Sequence, residues 1–201
     1  MIIEPDPDPR WDRTLTAVRH GRGPLQAGVQ DLARRPPRGL AEGPGGRRDG
    51  RVHRVRFKTA TTEELPDATA VMDPFHVVRL AGDALDQCRR RVQQDLHGHR
   101  GRKDDPLYRA RRTLHNGADI LTDKQQQRLT ALFEGEDHVQ VEATWGIYQR
   151  MIAAYRESDR TKGRALMTKL IESLSHGVPA ALTELLTLER TLKKRAEDVL
   201  A

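Results

Sequence analysis

Ala70-Val71-Met72-Asp73-Pro74-Phe75-His76-Val77-Val78-Arg79-Leu80 is the stretch that decides how this chain folds. Asp73 stands where a helix N-cap belongs, and Pro74 takes the first helical position, where its missing N–H leaves no bond unmade. Behind it Val77, Leu80, Ala81, Ala84, Leu85, Cys88 and Val92 recur at helical spacing, which predicts one apolar face on a helix from about Pro74 to Leu96. Upstream, the turn-forming Pro66-Asp67 is followed by a run that suits a short strand over Ala68 to Met72.

Downstream the pattern stays helical. The loop His97-Gly98-His99-Arg100-Gly101-Arg102-Lys103 should close the first helix, and a short helix is expected from Pro106 to Leu114. Thr122 is placed to cap another helix that runs to Phe133 through Leu129 and Leu132. Three more follow by periodicity. The first presents Val141, Trp145, Tyr148, Ile152 and Tyr155 on one side. The second, opened by Asp159, carries Leu166, Met167, Leu170 and Leu174 and stops at Gly177. The third starts at Pro179 and carries Leu182, Leu185, Leu186, Leu192, Ala196 and Val199. Short connections between helices predict a compact antiparallel array.

Residues 1 to 55 read differently. They hold seven of the eleven prolines, eight of the sixteen glycines, eleven arginines and no lysine, with Trp11 the sole aromatic. Neither helical nor strand periodicity persists there, and the segment is expected to be a disordered Arg/Pro/Gly arm. The organisation expected is therefore an arm over 1–55 and a folded part over 56–201.

A formal net charge of +6 over 201 residues favours anionic partners, nucleic acid first among them. Arg89, Arg90, Arg91, Arg100, Arg102 and Lys103 are the best candidates for contact with DNA phosphates, against the plainer reading that they form the wet face of a helix. His97 and His99 have no cysteine or acidic pair at ligand spacing beside them and read as solvated loop residues, so no metal ligand is assigned. Trp145 and Tyr148 fall on an apolar face and read as core. The single Cys88 sits on an apolar helix face and reads as a buried thiol in a reducing compartment. No stretch is long and apolar enough to span a membrane and the N-terminus has no hydrophobic signal core, so a cytoplasmic location is expected. The glycines make no phosphate-binding loop and there is no nucleophile elbow or Cys-His pair with a supporting acid, so nothing in the sequence supports a nucleotide-binding enzyme or a hydrolase.

From Phe57 to Ala201 the order of features resembles the DDE domain of insertion-sequence transposases of the ISL-three group. The resemblance rests on Lys58-Thr59-Ala60 with Glu63-Glu64-Leu65-Pro66-Asp67-Ala68, on Asp73-Pro74-Phe75-His76-Val77-Val78, and on Trp145-Gly146-Ile147-Tyr148. It implies a mainly helical chain, the helical insertion plus a remnant of an RNase H-like α/β domain, from a mobile element whose intact enzyme binds transposon ends and cleaves and joins DNA strands in recombination. Three carboxylates hold two magnesium ions in such enzymes, one ion activating the attacking oxygen and the other stabilising the leaving one. None of the three is assigned here: the first two are implied upstream of Lys58 and the third beyond Ala201. Asp73 and His76 match the Asp-x-x-His element that accompanies the family's active site without supplying those acids. Asp73 also reads simply as the helix cap, and His76 as a partly buried polar residue.

Frame displacement accounts for the arm. Back-translation of Arg47 through Val55 with permitted codons, read one nucleotide later, yields Val-Ala-Met-Asp-Gly-Phe-Thr-Gly-Phe, which resembles the strand that bears the family's second carboxylate. The same offset across Pro5 to Thr14 and across Gly28 to Ala33 also yields family-like text. The expectation is therefore a truncated, frameshifted transposase that binds magnesium poorly and does not transpose, with self-association into a homo-oligomer left open. The alternative is a non-enzymatic basic helical module that binds DNA or another partner through its arginine arm.

Overall fold

The computed structural model describes residues 71–201, and the expectations for residues 1–70 lie outside that range. Seven α-helices and three short 3-10 turns make up the regular structure of the described residues: α1 Pro74–His97, α2 Pro106–Ala110, α3 Asp123–Phe133, α4 Val139–Arg156, α5 Arg160–Ser175, α6 Thr183–Lys194 and α7 Ala196–Leu200. The 3-10 turns are Thr113–His115, Ala118–Ile120 and Glu136–His138.

Local chemistry fixes the helix starts. The Asp73 carboxylate accepts the Phe75 N–H at 3.0 Å, with Pro74 in the first turn, as its sequence position predicts. Thr122 opens α3 with a reciprocal capping box, its hydroxyl accepting from the Gln125 N–H while the Gln125 side chain accepts the Thr122 N–H. Asp159 caps α5 by accepting from the N–H groups of Thr161 and Lys162. At the far end of α1, Gly98 takes the left-handed conformation, φ 69°, that ends helices.

The core is built where α1, α4, α5 and α6 pack on one another. Val77, Ala81, Leu85, Cys88 and Val92 of α1 meet Val141, Ile147 and Met151 of α4, while Leu170 and Leu174 of α5 and Leu185 and Leu192 of α6 complete the interior. At about 25 cal/mol per Å2 of apolar area, each such leucine contributes on the order of 2 kcal/mol against its ordering entropy. Gly163 lets α5 approach α4 closely: a Cβ there would stand 2.7 Å from the Ala154 carbonyl oxygen.

Several sequence expectations are corrected. Val71 and Met72 form no strand: the Met72 N–H instead donates to the Asp198 carbonyl of α7 at 2.7 Å, and Ala68 to Ala70 lie outside the described residues. No strand occurs among the described residues, so the RNase H-like remnant is not seen in them. The helix expected over Pro106 to Leu114 breaks after Ala110, and Leu114 falls in a separate 3-10 turn. The buried surface of α4 extends beyond the expected stripe to Ala143, Thr144, Ile147, Met151 and Ala154, because α4 is covered by α1 on one side and α5 on another. Trp145, Ile152 and Tyr155 are only partly buried, and Leu166 of α5 is exposed. The last helix starts at Thr183 rather than Pro179, whose carbonyl accepts the Leu182 N–H in a turn, and it is interrupted at Arg195.

Candidate nucleic-acid interface

The six basic candidates fall into three groups. Arg89 is 4% exposed, and its guanidinium bonds to Asp86 and to the side-chain oxygen of the fully buried Gln93. Arg91 is half-buried. Its Nε and Nη2 donate to the two Glu184 oxygens at 2.8 and 3.0 Å, and Nη2 also donates to Gln140 Oε1 at 2.8 Å and the Ala181 carbonyl at 3.1 Å. The sequence pattern places both arginines on the wet face of α1, and this placement is corrected. The apolar face of α1 is wider than its aliphatic residues indicate, and α6 lies over one flank. Arg90, by contrast, is exposed and paired with Asp86. Arg100, Arg102 and Lys103 are exposed in the loop after α1 and have no ion-pair partner among the described residues.

The buried pair works at one remove. Arg89 holds the Gln93 oxygen, which leaves the Gln93 amide pointing toward Asp105 Oδ2 at 3.5 Å. That same oxygen of Asp105 accepts the Arg102 N–H and lies 3.5 Å from His99 Nδ1. Gly101 sits at φ 117°, a backbone conformation that L side chains rarely adopt, with its α-carbon so close to Gln93 and Tyr108 that a Cβ would come within 2.9 Å of both. The loop is thus folded against α1 and α2, and its basic side chains are left at the surface.

Beside it runs a groove of about 690 Å3 lined by Gly101, Arg102, Lys103, Asp104, Tyr108, Arg109 and Arg111. The Arg111 guanidinium lies 4.1 Å over the Tyr108 ring and donates to the Tyr108 carbonyl at 2.8 Å. Sequence reasoning missed Arg109 and Arg111. The signal was Tyr108-Arg109-Ala110-Arg111-Arg112, cations interleaved with an aromatic directly after a basic loop.

Asp73 and His76 meet at the opposite end of α1. One Asp73 oxygen caps the helix, and the other lies 3.4 Å from His76 Nδ1. Burial, with the Asp73 charge adding to it, pushes the Tyr155 hydroxyl up to about 12. His97 and His99 stack with ring centroids 5.8 Å apart. Tyr148 is buried and donates to the His115 carbonyl at 2.9 Å, while Trp145 packs on Phe133.

Electrostatics elsewhere belong to the fold. Burial pushes the Cys88 thiol up to about 11, despite bonding to Thr144 and the nearby Arg91 charge. Burial also raises Glu184, yet the hydrogen bond and charge of Arg91 outweigh it and hold the carboxyl below its ordinary value. Arg91 is held above its own ordinary value: burial works against this, and the Glu184 bond and neighbouring charges overcome it. Among the described residues no three of His, Cys, Asp and Glu converge as metal ligands, so none is assigned to magnesium. None of their helices is long and apolar enough to cross a membrane.

Taken together, these features define a helical domain with a basic loop and groove on its surface. A family model described as Transposase, that of the DDE domain of the ISL-three group, matches residues 54–201. The chain belongs to this transposase family, whose members act on DNA in transposition and use divalent metal ions. No curated protein and no solved structure matches it.

Proposed function

We propose that this chain is a non-catalytic portion of a DNA transposase: residues 56–201 supply the helical part of the domain, and residues 1–55 are read out of frame. The family match over 54–201 carries this reading. Its limits support the division, since the match begins close to where the composition changes and lysine first appears. DNA is the partner, held at its phosphates by Arg100, Arg102 and Lys103.

Two-metal strand transfer requires carboxylates that hold both ions, and no such set converges among the described residues. On this reading the chain binds duplex DNA through its basic residues and does not cut it. The test incubates the purified chain with labelled duplex and magnesium, then measures binding by anisotropy and cleavage on a denaturing gel. Salt-sensitive binding without nicking is expected. Magnesium-dependent nicking would overturn the non-catalytic assignment, and absence of binding at low salt would overturn the DNA assignment.

A further inference from the structure

We propose that the groove between the Gly98–Asp105 loop and α2 is a seat for the phosphodiester backbone of duplex DNA, with Arg109 and Arg111 as contact residues beside Arg102 and Lys103. The proposal rests on the transposase reading above and gives its DNA contact a defined place.

Four cations line the groove against one carboxylate, Asp104. Among the described residues Arg102, Lys103 and Arg109 have no ion-pair partner, whereas Arg90 and Arg91 are each matched by an acid. The adjacent carboxylate, Asp105, is engaged within the loop: its Oδ2 accepts the Arg102 N–H and faces Gln93 and His99. Cations with no acid against them keep their charge available to an external anion, and four of them sit together around one groove.

Their arrangement suits a linear polyanion. Arg102 and Lys103 come from the loop and Arg109 and Arg111 from α2 and its end, so two separate segments contribute cations to one open groove. The channel is also held in shape before any ligand arrives. Gly101 permits the loop to close on Gln93 and Tyr108, and Arg111 is fixed on the Tyr108 ring and carbonyl. A preformed wall reduces the ordering cost that long basic side chains incur on binding.

The test compares full-length variants in anisotropy titrations against a labelled duplex DNA over a range of salt. Arg102→Gln/Lys103→Gln/Arg109→Gln removes three groove cations and spares Arg111, which helps to hold the wall. Arg128→Gln/Arg164→Gln/Lys194→Gln removes three exposed cations outside the groove and is the charge-matched control. The groove variant should lower the log–log salt slope by about 0.9 for each phosphate no longer neutralised, about 2.7 in all, and weaken binding roughly tenfold or more at low salt. The control should change affinity by less than about threefold, and Asp104→Asn should tighten binding about twofold by removing a like charge from the phosphate path. Circular dichroism verifies folding; if the triple variant is unfolded, Arg109→Gln and Asp104→Asn carry the same comparison. Equal losses of affinity in groove and control variants, with wild-type binding intact, would overturn this placement and leave the transposase reading standing. Tighter binding to duplex RNA than to duplex DNA would overturn the assignment of the ligand. If the wild-type chain binds no DNA, the broader reading fails, and the placement fails with it.

Discussion

Replacing Arg91 with alanine should destabilise the fold rather than merely remove a surface charge. The guanidinium makes a two-pronged contact with Glu184, at 2.8 and 3.0 Å, and reaches Gln140 and the Ala181 carbonyl, so it ties α1 to α6 and to the start of α4. The Glu184 side chain is only 9% exposed, and Arg91 is 29% exposed. Stranding one member of a fully buried pair costs about 3–5 kcal/mol, whereas an exposed pair is worth less than about 1 kcal/mol. With one partner largely buried and the other partly wet, a loss of about 2 kcal/mol is expected. For a folded part of this size that lowers Tm by roughly 6–10 °C. The pH dependence follows from Glu184, whose carboxyl is depressed below its ordinary 4.5 in the folded state. Its contribution is therefore fully present above the ordinary carboxyl value and is lost as pH falls through the lower folded value. Urea unfolding followed by circular dichroism, at neutral pH and across the acid range, on the wild type, Arg91→Ala, Glu184→Gln and the double variant isolates the coupling. A coupling below about 0.5 kcal/mol at neutral pH, or one that persists unchanged through the acid range, would refute the clasp.

Three further outcomes follow from the packing. Gly163→Ala places a methyl against the Ala154 carbonyl, and the overpacking cost of about 1–3 kcal/mol should exceed the gain in helix propensity of about 1 kcal/mol, giving a lower melting temperature. An unchanged or raised value would mean that α4 and α5 sit further apart. Cys88, with its thiol pushed up to about 11 and its side chain enclosed, should resist a disulfide reagent in the folded chain at mildly alkaline pH and react on unfolding in urea; rapid native labelling would place it at the surface. Thr122→Ala removes the hydroxyl half of the α3 capping box and should cost about 1 kcal/mol in urea unfolding, with Thr122→Ser close to wild type; no difference between the two variants would mean that the cap adds nothing to stability.

Helix beginnings are readable in the sequence because they depend on neighbouring residues. Asp73-Pro74, Thr122 with Gln125, and Asp159 each announce a helix by chemistry complete within a few positions. Which way a helix faces depends on what covers it, and that is set by distant sequence. The stripe through Trp145 and Tyr155 correctly marks α4 as amphipathic, but α5 covers a second side that the stripe alone does not reveal. The same limit applies to the candidate site. Arg89, Arg90 and Arg91 look equivalent in sequence, yet Gln93 and Glu184 draw two of them into internal bonds. Arg109 and Arg111 become part of a groove only because Gly101 folds the loop back onto Tyr108.

Translating the encoding DNA in all three frames, from a few hundred bases upstream through the codon for Val55, tests most directly whether the amino-terminal part is out of frame within a transposase gene. One constant offset is expected to replace residues 4 to 55 with the carboxylate-bearing strands of the family, joining the frame of the 54–201 match near Val55. Codons that exclude such text in every other frame would contradict this, and the arginine arm would then stand as a genuine part of the protein.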